Sequence, residues 1–433
     1  MITSTEKGKC ILLADYVPLA NKGEEAIVRG IEDMLSEYGP LEIGLFDNVA
    51  EVTCQGNITV FPKDWIFRLQ GGGCKTGWGR VLKAFFMAVE MRLGYYSKLR
   101  NLVSSSEPKY KPLHDFFNRA DCILVGHDGV FYIESCAVIH LARKAGKKVG
   151  ILGSGSGIRW HARPYLGWIY RRSISECDFC VLRESFTYDS MKYVSRDSDK
   201  DKLVLAPDPA FAMRPSDPEE ARRTLENYES CRRARESGKA IIGATVLETG
   251  IVYNYFTPES DATSKSVAHA RYLAEILDDL IEKRNGFVVF LPHSVEKNAN
   301  DITTARNVVA EMNCNSDNHM ILDKDLRPQL LKSIIREFDF LVGERTHSII
   351  ASISVATPFV ALTCRQDYRT HGIVGDMADC RNQVIDINVL DAKQASRKTL
   401  DIFDDREAMQ ISLQQTSNLF EQQLSDVAKL LEF

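Results

Sequence analysis

The stretch Phe340-Leu341-Val342-Gly343-Glu344-Arg345-Thr346-His347-Ser348-Ile349-Ile350 decides the fold. A short apolar run meets a glycine, then polar residues, then apolar residues at helical spacing (Ile349, Ile350, Ile353). That pattern predicts a buried strand, a turn at its carboxyl end and a helix. A helix opening on Thr or Ser would be capped in the usual way. Free backbone N–H groups and the helix dipole favour an anion at such a turn. Arg345 adds a two-pronged grip on phosphate or carboxylate, and His347 can move a proton near neutral pH. Taken alone, the same unit also fits a purely structural role, with either side chain capping a carbonyl.

The chain has 433 residues, 44% hydrophobic and 26% charged, an ordinary composition for a soluble globular protein of two or three domains. A net charge of −5 supplies no bulk basic field, so no nucleic-acid partner is expected. The start, Met1 to Lys9, is polar, and the apolar run after it is too short for a signal peptide. No apolar run reaches the ~18 residues of a spanning helix, so a cytoplasmic location is expected. Eleven cysteines scatter without an even framework, which suits a reducing compartment. Cys177-Asp178-Phe179-Cys180 lacks a second ligand pair for zinc and runs into a strand, so it reads as structural. No Asp-x-Asp stands at a strand end, and no metal site is expected.

Around the deciding stretch, strands alternate with helices. Cys10–Asp15 is a continuous apolar run, the mark of a strand buried on both faces. Asn21-Lys22-Gly23-Glu24-Glu25 follows, then a helical pattern. This loop lies where open α/β sheets bind ligands, which makes Asp15, Asn21 and Glu24 candidates to touch substrate; helix capping by Asn21 and Glu24 is the bland reading. Two Gly-flanked loops end later strands, at Gly126-His127-Asp128-Gly129 and Gly153-Ser154-Gly155-Ser156-Gly157. Neither matches a P-loop or a dinucleotide fingerprint. Phe179–Leu182 ends in Arg183, and Leu203–Ala206 ends in Pro207-Asp208-Pro209, where the prolines aim the Asp208 carboxylate. Trp78 to Arg100 is a basic, aromatic-rich amphipathic stretch: an ordinary surface helix, or a contact with the inner face of an anionic membrane.

Two doubly wound Rossmann-like α/β domains follow from this alternation, with the carboxyl ends of both sheets facing a cleft. The expected limits are 1–213 for the first domain, 214–239 for a charged interdomain connection, 240–375 for the second domain and 376–433 for a helical C-terminal segment.

Several ordered motifs together resemble the polysaccharide pyruvyltransferase family over roughly Cys10 to Gly375: the Asn-x-Gly-acidic loop at Asn21–Glu24, the Asp-led strand at Asp121–Gly129, Val-Leu-Arg-Glu at Arg183, Asp-Pro-Ala-Phe at Asp208–Phe211, Arg-x-His at Arg345–His347, and a basic residue before Thr-His-Gly-Ile at Arg369–Ile373. The resemblance implies a fold like the two-Rossmann-domain (GT-B) glycosyltransferases. It implies transfer of pyruvate from phosphoenolpyruvate to two hydroxyls of a sugar, in a polysaccharide or a lipid-linked glycan, leaving a cyclic ketal and phosphate. No cofactor is implied beyond phosphoenolpyruvate as donor. Arg183, Arg345, Thr346, His347 and Arg369 would hold the donor; Asp15, Asn21, Glu24, His127 and Asp128 would face the acceptor. His347 is the candidate acid, and Glu24 or Asp208 the candidate base. The chain departs from the family pattern at Glu24 (Asp in the family), at Gly126-His127-Asp128 (a glycine triplet) and at Arg369 (Lys). The alternatives are a nucleotide-sugar glycosyltransferase of the same architecture, which could also use Arg345 to hold a diphosphate, and a non-catalytic glycan-binding protein.

Overall fold

The computed structural model describes residues 8–65, 107–126, 133–155, 163–247, 262–296, 299–364 and 367–431, with a few isolated positions between 89 and 104. The amphipathic stretch 78–100, apart from Val89 and Leu99, and the pair His127–Asp128 lie outside the described residues. Among the described residues, no helix is long and apolar enough to cross a membrane.

The chain forms two compact units, one of Met1–Leu19, Ile31–Pro209 and Gln423–Phe433, the other of Ala20–Gly30 and Ala210–Gln422. The first is built on strands β1 (Lys9–Tyr16), β2 (Leu41–Asp47), β3 (Thr53–Gln55), β4 (Ile58–Pro62), β5 (Cys122–Val125), β6 (Lys148–Ser154), β7 (Phe179–Leu182) and β8 (Leu203–Leu205), in the order β3-β4-β2-β1-β5-β6-β7-β8. Every pairing is parallel except β3 with β4. Ile11, Leu12, Leu13 and Ala14 are fully buried, as a parallel strand covered on both faces requires.

The second unit carries β9 (Ala240–Thr245), β10 (Gly286–Phe290), a small hairpin β11 (Val295–Glu296) and β12 (Ala299–Asn300), then β13 (His319–Ile321), β14 (Phe340–Gly343), β15 (Phe359–Thr363) and β16 (Val384–Asp386). Its six-stranded sheet runs β13-β10-β9-β14-β15-β16, all parallel. From β9 the chain moves outward through β10 to β13, then returns to β14 beside β9. That reversal is the topological switch point, where open α/β sheets bind ligands beyond their carboxyl ends. The first unit has its own between β1 and β5.

Three stretches fall differently from their sequence reading. Residues 20–30, expected with the first half, group with the second unit. The charged stretch 214–239 forms two helices of the second unit, Pro218–Glu226 and Glu229–Glu236. Its few apolar side chains, Ala221, Leu225, Cys231 and Ala234, are all buried, and Arg222 and Arg235 each reach Glu337 at 3.3 Å. Such spaced burial gives a surface helix that a count of apolar residues understates. The segment from 376 is mostly helical but includes β16, three residues long and too short to show a period.

Candidate active site

The opening stretch folds as its pattern predicts: β14 ends at Gly343, and a helix runs over Thr346–Ser354. The cap differs. Arg345 is the cap residue and makes no side-chain cap hydrogen bond. The hydroxyls expected to cap bond elsewhere: Ser348 Oγ reaches Thr245 Oγ1 and the Arg345 carbonyl, each at 2.7 Å, and Thr346 Oγ1 lies 2.8 Å from Thr370 Oγ1. The cap residue thus leaves the helix start uncapped by its own side chain, and the partial positive charge of that start stands at the switch point.

Glu344 locks the turn from behind. Its carboxylate accepts from the Leu247 N–H at 2.9 Å and meets His269 Nε2 at 2.7 Å, while its own N–H donates to the Thr245 carbonyl. Both side chains of the Glu344–His269 pair are at most 2% exposed. The ends of β9 and β14 are thus joined by backbone and side chain together.

Arg345 donates a terminal nitrogen to Asp301, whose side chain is fully buried. Asp301 also accepts the backbone N–H groups of His293 and Ser294, both at 2.9 Å. Burial raises the Asp301 pKa; the charge and hydrogen bond of Arg345 and the His293 and Ser294 N–H groups oppose it. His293 is pushed the other way, down to about 3, first by burial and then by the positive fields of Arg345 and His347, against a hydrogen bond to Leu291. A neutral histidine thus sits among the site's cations.

The acidic loop reaches this cluster. Asn21 forms an antiparallel bridge with Ser294, and the Lys22 N–H donates to the His293 carbonyl at 2.9 Å. Asn21 Oδ1 accepts from the Gly23 N–H at 3.1 Å, capping the helix Lys22–Leu35. At Gly23 the backbone passes so close to His347 that a β-carbon would overlap the imidazole. Glu24 is 8% exposed.

Arg369 completes the arrangement. Desolvation lowers its pKa, but the charges of Asp367 and then Glu24 outweigh it and hold the guanidinium above its ordinary value. Its side chain is still 41% exposed. Asp367 accepts from Thr363 Oγ1 at 3.0 Å and Thr370 Oγ1 at 2.8 Å. Its carboxyl stays below the usual range because, against the cost of burial, Arg369 and the threonine hydrogen bonds favour the charged form. The second unit therefore brings together Asn21, Glu24, Arg345, Thr346, His347 and Arg369.

In the first unit, Arg183 and Asp208 form an ion pair with side chains 2% and 0% exposed. Asp208, read as a candidate base, is thus buried against a guanidinium. Asp15 is 1% exposed and accepts from the Gly126 N–H and, at 2.8 Å, from Ser135 Oγ; its visible bonds brace the switch point. Cys177 and Cys180 are buried free thiols, and burial pushes Cys177 well up. Among the described residues no cluster of three or more His, Cys, Asp or Glu side chains could hold a metal ion.

Sequence reasoning passed over His293, Asp301, Asp367 and the Glu344–His269 pair. His293 had one legible signal, its place in Pro292-His293-Ser294 just after β10. Asp301 and His269 lie in helical patterns that look like any solvated face.

The sequence model of the family described as polysaccharide pyruvyl transferase matches residues 21–366. The curated proteins give no match. Among solved structures, the chain is similar to an α,α-trehalose-phosphate synthase (UDP-forming) from Burkholderia vietnamiensis, with TM-score 0.55, 12% identity, and 98% of this chain and 100% of that one covered. It is also similar to a glycosyltransferase from Rickettsia africae, with TM-score 0.51, 12% identity, and coverage of 98% and 99%. At that identity the likeness shows the fold alone, that of the GT-B glycosyltransferases.

Proposed function

The chain belongs to the polysaccharide pyruvyl transferase family, and from that premise we propose that it moves pyruvate from phosphoenolpyruvate onto two hydroxyls of one sugar in a glycan. The observation that carries this reading is the family match over residues 21–366. The site's chemistry supports it. Phosphoenolpyruvate is small and densely anionic, and a helix start whose cap residue makes no side-chain cap bond, flanked by Arg345 and Arg369, suits such a molecule.

In the proposed reaction, His347 delivers a proton to the terminal enol carbon, and C2 takes on oxocarbenium character. A sugar hydroxyl bonds to C2 and gives its proton to Glu24. The C2–O bond to phosphate then breaks, and a second hydroxyl closes the ketal, its proton leaving with phosphate. Arg345 and the helix start hold the charge that builds on the departing phosphate. The transfer proceeds without metal or cofactor, in the cytoplasm, on a free or lipid-linked glycan. Acceptor-dependent phosphate release from phosphoenolpyruvate, measured over a panel of glycans, tests the reading; none with any acceptor would overturn it.

The UDP-forming neighbour favours one alternative, a nucleotide-sugar glycosyltransferase. Thermal stabilisation by phosphoenolpyruvate, and none by UDP- or GDP-sugars, would decide against it.

A further inference from the structure

Each unit holds an arginine just beyond the carboxyl end of a strand, and each arginine is gripped the same way. In the first unit Arg183, after β7, gives one terminal nitrogen to Asp208. In the second Arg345, after β14, gives one terminal nitrogen to Asp301. Both aspartate side chains are 0% exposed. In both arginines Nε is buried and has no hydrogen-bond acceptor among the described residues. A buried N–H without an acceptor costs on the order of 1–3 kcal/mol, and native proteins seldom leave one so. Two such atoms, in equivalent places on two separate sheets, point to the same local device in each unit.

Both aspartates are themselves anchored. Asp301 is tied to the backbone N–H groups of His293 and Ser294, so its carboxylate cannot swing with the guanidinium. Asp208 stands between Pro207 and Pro209, which stiffen the turn. Pro209 lies close to Gly153, which has φ of +70°; a β-carbon at Gly153 would press on the proline ring. A β-carbon at Gly155 would meet Arg183 Nε at 2.5 Å, so only glycine lets the backbone pass this close to that atom.

We propose that Asp208 and Asp301 are positioning residues, each tethering an anion-binding arginine by one terminal nitrogen so that its buried Nε–H is kept for an oxygen of a phosphate or carboxylate. This rests on the reading that the arginines meet the donor's anionic groups. It assigns Asp208 to holding Arg183, in place of the base role expected from sequence. A planar fork needs a fixed direction to grip an oxyanion with more than one N–H, whereas a lysine ammonium is a point charge that does not.

The test uses Asp301→Asn, Arg345→Lys and the double variant, with inorganic phosphate as the probe. Phosphate affinity is read from thermal stabilisation, and KM and kcat are measured with phosphoenolpyruvate. Asp301→Asn keeps the size of the side chain and an acceptor for the backbone N–H groups. It is expected to weaken phosphate binding and raise KM about tenfold, the value of one charge-assisted hydrogen bond, with a smaller change in kcat. In the Arg345→Lys background the same substitution is expected to add little. Unchanged phosphate affinity and KM in Asp301→Asn would overturn the tether. So would an undiminished effect in the lysine background, since that assigns Asp301 to packing alone. Phosphate binding that depends on Asp301, in a protein that never turns over phosphoenolpyruvate, would uphold the tether and defeat the donor reading. Asp208→Asn with Arg183→Lys repeats the measurement in the first unit and replaces it should Asp301→Asn fail to fold.

Discussion

The backbone of Gly23 lies against the imidazole of His347, with no room for a β-carbon between them. A residue from the start of the chain therefore helps to set the orientation of a histidine near position 350. The contact also places the acidic loop, with Glu24, beside the turn that carries Arg345. Glycine is needed here for close approach, the role its missing side chain serves in ligand loops.

Gly23→Ala is expected to push His347 aside and lower turnover by about 100-fold, the scale of a displacement near 1 Å at a reacting group. Alanine favours the helix that starts here, so unfolding should stay within a few degrees of the parent. Initial rates of phosphate release and circular-dichroism melting check the two halves; an undiminished rate would mean that His347 does not need its position.

His347→Ala should abolish phosphate release while leaving binding of the glycan acceptor intact. Calorimetric titration with the acceptor and the release assay separate the two. Retained release would remove His347 from the chemistry.

The Arg183–Asp208 pair is fully buried, so Arg183→Ala strands a carboxylate away from water. A loss of about 3 kcal/mol in stability is expected. The double variant Arg183→Ala with Asp208→Asn should recover part of it, because the uncompensated charge is gone. Urea unfolding of the two variants measures the difference, and equal losses would count against an ion pair.

His293 has a folded pKa near 3 against an ordinary value of 6.5. Between those values the unfolded chain binds the extra proton, so this group's stabilisation is complete above pH 6.5 and is lost as pH falls toward 3. At pH 5 the loss is about 2 kcal/mol. Asp301, its carboxyl pushed up by burial, works in the opposite direction, so the histidine is isolated only by substitution. Stability of His293→Gln should fall less than that of the parent between pH 7 and pH 5. Parallel unfolding curves for the two proteins at both pH values would contradict a buried neutral histidine.

Activity is expected to survive a chelator unchanged, since the proposed charge stabilisation comes from Arg345, Arg369 and a helix start. Loss in chelator, restored by Mg²⁺, would show otherwise.

Much of the fold was legible because local rules carry it. Continuous apolar runs such as Cys10–Ala14 and Phe340–Val342, too short for a helix, read as strands covered on both faces, and each is followed by a polar turn and a helical period. The order of those units implies a parallel sheet, and hence ligand-binding turns at the carboxyl ends. Arg345, Thr346, His347 and Arg183 were singled out as candidates because each lies at or a few residues beyond the end of an apolar strand.

Partnership was not legible. Which arginine meets which aspartate, whether Glu24 groups with the first or the second half, and why His293 stays neutral all depend on residues tens to hundreds of positions apart. Burial and pairing are properties of the surroundings, and a carboxylate has the same letter whether it caps a helix, holds a guanidinium or takes a proton. Sequence set the strands, the turns and the chemical types placed on them. Only the tertiary structure decided which charges are neutralised, because desolvation and pair energies arise only once the chain has closed around each group.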